Sequence, residues 1–412
     1  MKDKYKRTKV ACYLGNISMA IIANLPALLF LTFNSKYGIS YTKLGFLVVV
    51  LFFAQLIIDL IFVFYSSKFN ISKILKIMPL LTFIGLVCFA TLTMLFSEHA
   101  YIFMVFSIAI AACASGFAEV LLSPVIAAIP SENKEREMSI LHSCYAWGVV
   151  VVVLLSTIFL HIFTIDYWYI LMILWSLVPL YAFFISIKAE FPSLVTLDFS
   201  PKLLKTIFNK KMLLCMICIA AGGASEVIIG QWCSSYIETN LNISKISGDI
   251  LGVAAFGLML GTGRQLYSKY GKNLNRVLIL GSLAAFICYI TAALSSNTII
   301  VLTACATTGF FVSMLWPGTL LQAEKVFPTS GVVVFALMAA GGDAGASLGP
   351  QLIGLITDIV SKNESITDYA MTNFNLLPDE IGFKTAFLIG SIFPLIAFIA
   401  FSKLSKIVPT TN

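Results

Sequence analysis

Two stretches decide the fold: "GFAEVLLSP" at 116–124 and "GFFVSMLWP" at 309–317. They align without gaps at an offset of 193, each inside an apolar run and each closing on proline. A second pair, "SSKFNISKIL" at 66–75 and "YSKYGKNLNRVL" at 267–278, follows an apolar run at an offset of 201. Similar segments recurring in one order at nearly one offset make the chain an internal duplication.

What surrounds the repeats is apolar. Of 412 residues 59% are hydrophobic and 11% charged, where a soluble domain carries roughly a quarter charged residues. The mean hydropathy is +0.94, and apolar runs of about 20 residues recur, the length that crosses a bilayer as a helix. Hydrocarbon offers no partner to backbone N–H and C=O groups, so such runs must be helical. The basic start "MKDKYKRTKV" leads into a run too long for a signal-peptide core, without a small-residue cleavage site.

Twelve spans are expected, at 11–33, 43–66, 76–96, 101–128, 139–162, 167–188, 212–237, 247–267, 276–295, 298–323, 330–359 and 384–402. The joining segments are short, apart from a basic central one at 188–211 and a late one at 361–383. With a cytoplasmic N-terminus, 21 of the 27 Lys and Arg fall on the inside. That bias places both termini and the central segment in the cytoplasm of a multi-pass cell-membrane protein. It also accounts for the net charge of +7 without a nucleic-acid partner. The domains expected are an N-terminal six-helix bundle (1–188), a cytoplasmic linker (189–211) and a C-terminal six-helix bundle (212–412). Six spans, a linker and six related spans is the layout of a transporter with parallel halves.

The nine cysteines all lie in apolar stretches, as small hydrophobes rather than a disulfide framework. The "CMIC" at 215–218 reads as two buried thiols. The sequence carries no phosphate loop, metal-ligand cluster or nucleophile–base pair, so neither an enzyme nor a cofactor or metal is expected. Nor is there a nucleotide-binding domain, which leaves an ion gradient as the energy source.

Over essentially its full length the chain resembles the major facilitator superfamily. "GTGRQLYSKYGKNLNR" (261–276) is similar to that superfamily's loop signature, with Gly261, Arg264, Gly271 and Lys272 in matching places. The usual loop aspartate is replaced by Ser268 and, in the first copy, by Ser67, where Asn70 also replaces the glycine. The branch it resembles most is the fucose permease-like sugar:proton symporters. The residues are "GGASEVIIGQWCSSYI" (222–237), "GFAEVLLSPV" (116–125), "LHSCYAWG" (141–148), "LWPGT" (315–319) and "GGDAGASLGP" (341–350). The resemblance implies an all-α membrane protein of twelve transmembrane helices in two pseudo-symmetric six-helix bundles. It also implies cavity walls built from spans 1, 4, 7 and 10, with spans 2, 5, 8 and 11 beside them.

An ionisable side chain at mid-membrane costs a few kcal/mol, so each one needs a reason. Asp59, Glu119, Glu226, Asp343 and Arg264 lie well inside spans. Counting at the helical rise puts Glu119, Glu226 and Asp343 roughly 16–21 Å from the cytoplasmic end, near the midplane. Glu119 matches the membrane-embedded glutamate of the fucose permease-like family and is the expected proton carrier; a fixed partnership with Ser123 is the alternative. Asp343 is a second proton-coupling candidate, or a helix-packing acid within its glycine stripe at 341, 345 and 349. Glu226, Gln231 and Trp232 suit a sugar, acid and amide binding hydroxyls and the ring packing on C–H faces. Asn24, Glu119, Tyr145 and Trp316 complete the expected solute contacts. Asn24 stands near where the family often has aspartate. Asp59 and Arg264 lie nearer the cytoplasmic end and read as a gate, their partners left open. His142 reads as a hydrogen-bonding residue at the start of span 5.

The expected function is a monomeric secondary transporter in a lipid bilayer, moving a sugar or similar small solute with a proton by alternating access. A drug:proton antiporter is the first alternative and a transporter-like membrane sensor the second.

Overall fold

The computed structural model describes residues 4–131, 134–194, 209–271, 273–327 and 331–407. The middle of the 189–211 linker and Lys272 lie outside them, as do the side chains of Ser67 and Ser268. Among the described residues every regular element is a helix. Eleven helical stretches are long and apolar enough to cross a membrane, and the 31-residue helix Gly331–Ser361 joins them.

The first span is broken. α1 (Lys6–Asn24) stops short of Pro26, a 3-10 turn follows at Ala27–Leu29, and α2 (Phe30–Tyr37) resumes. Proline has no N–H for the carbonyl four residues back, so the helix yields there. Spans two to six are α3 (Tyr41–Tyr65), α4 (Ile71–Leu95), α5 (Ala100–Ala128), α6 (Lys134–Phe163) and α7 (Trp168–Ile187). Span seven is α8 (Lys210–Leu241). Span eight opens as a helical turn at Lys245–Gly248, widens into a π-helix at Asp249–Ala254 and continues as α9 (Ala255–Tyr270). α10 (Leu274–Leu294) follows, and span ten divides into α11 (Thr298–Val312) and α12 (Leu315–Val326). Gly331–Ser361 is α13. The late joining segment at 361–383 holds a short helix, α14 (Glu364–Phe374). Asn363 caps it by accepting from the Ile366 N–H at 3.1 Å, and Asn375 ends it at a φ of 54°. Span twelve is α15 (Pro378–Gly390) and α16 (Ile392–Leu404).

The chain divides into two compact units. One comprises Met1–Leu29 and Val50–Pro201, the other Phe30–Val49 and Lys202–Asn412. The cut drawn from the repeat falls in the linker; the contact division differs from it in placing Phe30–Val49 with the second unit.

The packing inside the units is pseudo-symmetric. In the first, α1 packs against α5, α6 and α7, and α4 against α5 and α7. In the second, α8 packs against α11 and α12, α13 and α16, and α10 against α11 and α16. These are the same spans six places on. The repeat also fixes one close crossing in each unit. A Cβ on Gly116 would stand 2.9 Å from Ile58 Cβ and 3.1 Å from Gln55 Cα, whereas one on Gly309 would meet the Phe256 backbone. Gly116 and Gly309 are 193 apart and Gln55 and Phe256 are 201 apart, the two offsets read from the sequence. Equivalent residues therefore make the α3–α5 and α9–α11 contacts. The loops after spans two and eight end alike, though not at equivalent residues: Asn70 caps α4 and Asn273, two places beyond its counterpart Gly271, caps α10, each accepting from the N–H three residues on.

In the second unit α8 and α13 run backbone to backbone where Gly345 faces Ala220. The start of α3 is held there too. Asp358 of α13 accepts from the Thr42 N–H at 2.7 Å and from the Thr42 hydroxyl, and Tyr41 donates to Asp379 at 3.0 Å. A carboxylate there answers orphan N–H groups and the positive end of the helix dipole. Lys384, on α15, does the converse for α10, donating to the Ser295 carbonyl at 2.6 Å.

Two outcomes follow. Gly345→Ala puts a methyl against the Ala220 backbone, which cannot turn aside, and lowers stability by about 1–3 kcal/mol, read as a lower thermal unfolding midpoint in detergent. Asp358→Ala removes the α3 cap and costs about 1 kcal/mol in the same assay, whereas Asp358→Asn, still an acceptor, costs less.

Candidate functional site

In the first unit the polar residues line up across the α3–α5 crossing. Gln55 and Asp59 are four apart on α3, and Ser115 and Glu119 four apart on α5, so each pair shares a helix face. The Gln55 amide donates to Glu119 Oε2 at 3.0 Å and to Ser115 Oγ at 3.4 Å. Gly116 beside them lets the backbones approach closely enough for this. Asp59 is fully buried and its carboxylate lies within 4.8 Å of that of Glu119. Neither of its oxygens accepts a hydrogen bond among the described residues. The structure thus puts the expected gate acid beside the expected proton carrier.

Gln55 is the residue that sequence reasoning missed. Its signal was an amide in the apolar run "FFAQLIIDL", one helical turn before Asp59. Ser123, weighed as a partner of Glu119, instead faces His142 Nε2 at 3.4 Å. Asn24 is buried and turns its amide back to the Ala20 carbonyl at 2.9 Å, next to the break in the first span. Tyr145 sits half-buried on α6, which Asn16 of α1 holds by donating to the Leu141 carbonyl at 2.7 Å.

In the second unit Glu226 of α8 meets Arg264 of α9. Arg264 Nη2 lies 3.1 and 3.3 Å from the two Glu226 oxygens, and its Nε donates to the Ser313 carbonyl at 3.1 Å. The partner that the sequence left open for Arg264 is thus the carboxylate assigned to the solute. The side chains keep 14% and 23% of their exposure, so the pair is not fully enclosed. Tyr289 of α10 fixes the backbone next to Glu226, donating to the Ser225 carbonyl at 2.8 Å.

Trp316 is half-buried on α12, its ring wedged against Gly223 of α8 and Gly342 of α13. Asp343 follows Gly342 and is 1% exposed. Its backbone carbonyl accepts from Ser347 at 2.8 Å.

Gln231 and Trp232 are both buried. Trp232 donates its indole N–H to the Pro350 carbonyl at 3.0 Å and packs among Phe30, Tyr41 and Phe383. Six residues on a helix turn through about 240°, so Trp232 and Glu226 serve different faces. The structure gives the indole to packing and the carboxylate to Arg264.

The sequence profile of the Major Facilitator Superfamily matches residues 12–350. No curated protein sequence matches the chain. Several solved structures match it nearly end to end. One is a proton:xylose symporter bound to 6-bromo-6-deoxy-D-glucose, at 14% identity and a TM-score of 0.73, covering 100% of this chain and 97% of that one. Another is a nucleoside transporter, at 12% identity and a TM-score of 0.71, covering 97% and 98%. A third is a bacterial homolog of the human lysosomal transporter Spinster, at 12% identity and a TM-score of 0.70, covering 97% and 96%. At these identities the likeness is one of fold.

Removing one member of a paired, partly buried charge couple leaves the other uncompensated, at a cost of about 3 kcal/mol. Arg264→Gln is therefore expected to unfold several degrees lower than the wild type. Adding Glu226→Gln to it should restore most of the loss, and additive losses in the double variant would contradict the pairing.

Proposed function

The chain belongs to the Major Facilitator Superfamily, and from that membership we propose a secondary active transporter that moves a sugar-class solute by proton symport through alternating access. The observation that carries the proton assignment is the Gln55–Glu119 contact at 3.0 Å. An amide is a two-way partner: its N–H₂ serves a carboxylate and its oxygen serves a carboxylic acid. Glu119 keeps a hydrogen bond in either protonation state if Gln55 turns over. Glu226 has no such freedom, because a guanidinium only donates. The two units accordingly divide the work, with Glu119 carrying the proton and the Glu226–Arg264 pair holding hydroxyl groups.

A polyhydroxylated solute suits a site where donors and acceptors stand side by side, as they do at the Arg264–Glu226 pair. The named cargoes of two structural relatives, xylose and nucleosides, are of that kind. The repeat and the distribution of Lys and Arg support two bundles at 1–188 and 212–412 with both termini in the cytoplasm.

Energised vesicles holding the protein should show alkalinisation of the medium on addition of the transported sugar. Glu119→Gln should abolish the proton signal while sugar counterflow persists. A proton signal undiminished in Glu119→Gln removes it as the carrier. A binding screen over sugars, nucleosides and lipophilic cations in which only the cations stabilise the protein sinks the sugar assignment.

A further inference from the structure

The break in span ten lies where Arg264 is anchored, and Pro317 accounts for the carbonyl left open there. In an unbroken helix the Ser313 carbonyl would accept from the N–H of residue 317, but that residue is proline and has none. Around the break, Ser313 donates to the Phe310 carbonyl at 3.4 Å and Gly318 to the Met314 carbonyl at 2.8 Å. The Ser313 carbonyl is passed over by its own helix, and Arg264 Nε takes it at 3.1 Å. A carbonyl left unanswered in an apolar interior costs several kcal/mol, so the guanidinium is held there firmly. Gly263 makes the approach feasible: a Cβ on it would stand 2.8 Å from Ser313 Cβ and 3.0 Å from the Phe310 carbonyl oxygen.

We propose that Pro317 is a positioning residue of the solute site: by freeing the Ser313 carbonyl it fixes Arg264, which fixes the Glu226 carboxylate to receive neutral sugar hydroxyls. The assignment rests on the reading of Glu226 as a solute contact. With Nε on the carbonyl and Nη2 across the carboxylate, the guanidinium plane is set by two elements, α11–α12 and α8. Nη1 makes no hydrogen bond among the described residues and offers two N–H groups. Each Glu226 oxygen keeps a lone pair. A vicinal diol fits that edge, one hydroxyl donating to Glu226 and its neighbour accepting from Nη1. The pair is neutral as a whole, so it favours a neutral polyol over a sugar acid.

The test uses the full-length protein and two readouts. The first is the rate at which phenylglyoxal modifies Arg264, followed by peptide mass mapping in detergent. Pro317→Ala returns an N–H to the Ser313 carbonyl and should speed modification several-fold, toward the rate in Glu226→Gln. Gly263→Ala lifts α9 off the break with the proline intact and should do the same, which keeps the test open should Pro317→Ala not fold. Wild-type rates in both variants overturn the positioning role.

The second readout is counterflow of D-xylose, L-fucose and D-glucose in proteoliposomes. Pro317→Ala should raise the half-saturating concentration of the transported sugar about tenfold, or 1.4 kcal/mol, with the maximal rate kept. Arg264→Lys, which cannot fork between carbonyl and carboxylate, should behave alike. Faster modification with unchanged half-saturation overturns the link to the solute. If the wild type carries none of the three sugars, the sugar reading falls, while the phenylglyoxal rates still decide whether Pro317 places Arg264.

Discussion

The contact of Gly345 with the Ala220 backbone sets the spacing of α8 and α13, and most of the second unit depends on it. Without a hydrophobic drive between helices in lipid, close backbone approach is what dispersion and polar contacts can exploit. At that spacing the Trp232 indole reaches the Pro350 carbonyl. Trp316 finds room only because residues 223 and 342 lack side chains. Glu226, on the same α8, is left to face α9. The glycines of "GGDAGASLGP" (341–350) thus act first as spacers. They weaken an isolated helix, yet they permit the closest packing in the unit.

Polar groups inside the membrane then find partners according to what each crossing offers. The α3–α5 crossing offers an amide, and Glu119 takes it. The α8–α9 crossing offers a guanidinium, and Glu226 takes that. The same fold, duplicated, thereby presents one carboxylate whose partner can follow a proton and one whose partner cannot. This difference lies in the chemistry of two side chains rather than in the backbone.

The spans and the crossings were legible in sequence because lipid enforces long apolar helices and because the repeat carries its own register. Gly116 with Gln55 and Gly309 with Phe256 fall on the offsets that the motifs gave. The midplane acids were legible for the same reason, since charge in hydrocarbon is conspicuous. Their partners were less so. Depth in the chain groups Arg264 with Asp59, but depth does not say which neighbour a side chain faces. Proximity in the chain groups Trp232 with Glu226, although six helical steps separate their faces. Gln55 carries a weaker signal because an amide stands out less than a charge. The 11 residues of α14 are too short and too polar to resemble a span.

The proline that closes both repeat motifs shows how a small change separates the halves. Pro124 and Pro317 are equivalent, and each denies a donor to the carbonyl four residues before it, Val120 and Ser313. Yet α5 runs on through Pro124, whereas the tenth span splits into α11 and α12. Proline alone therefore does not dictate the break. The sequence differs: at the offset of 201, the place of Arg264 is taken by valine at 63, a residue type without a side-chain donor. An opened carbonyl is sustained in the membrane interior where something answers it, and Arg264 does so in the second half. In the first half α5 continues past its proline as an unbroken helix. In the second the break becomes an anchor for the charge that holds Glu226.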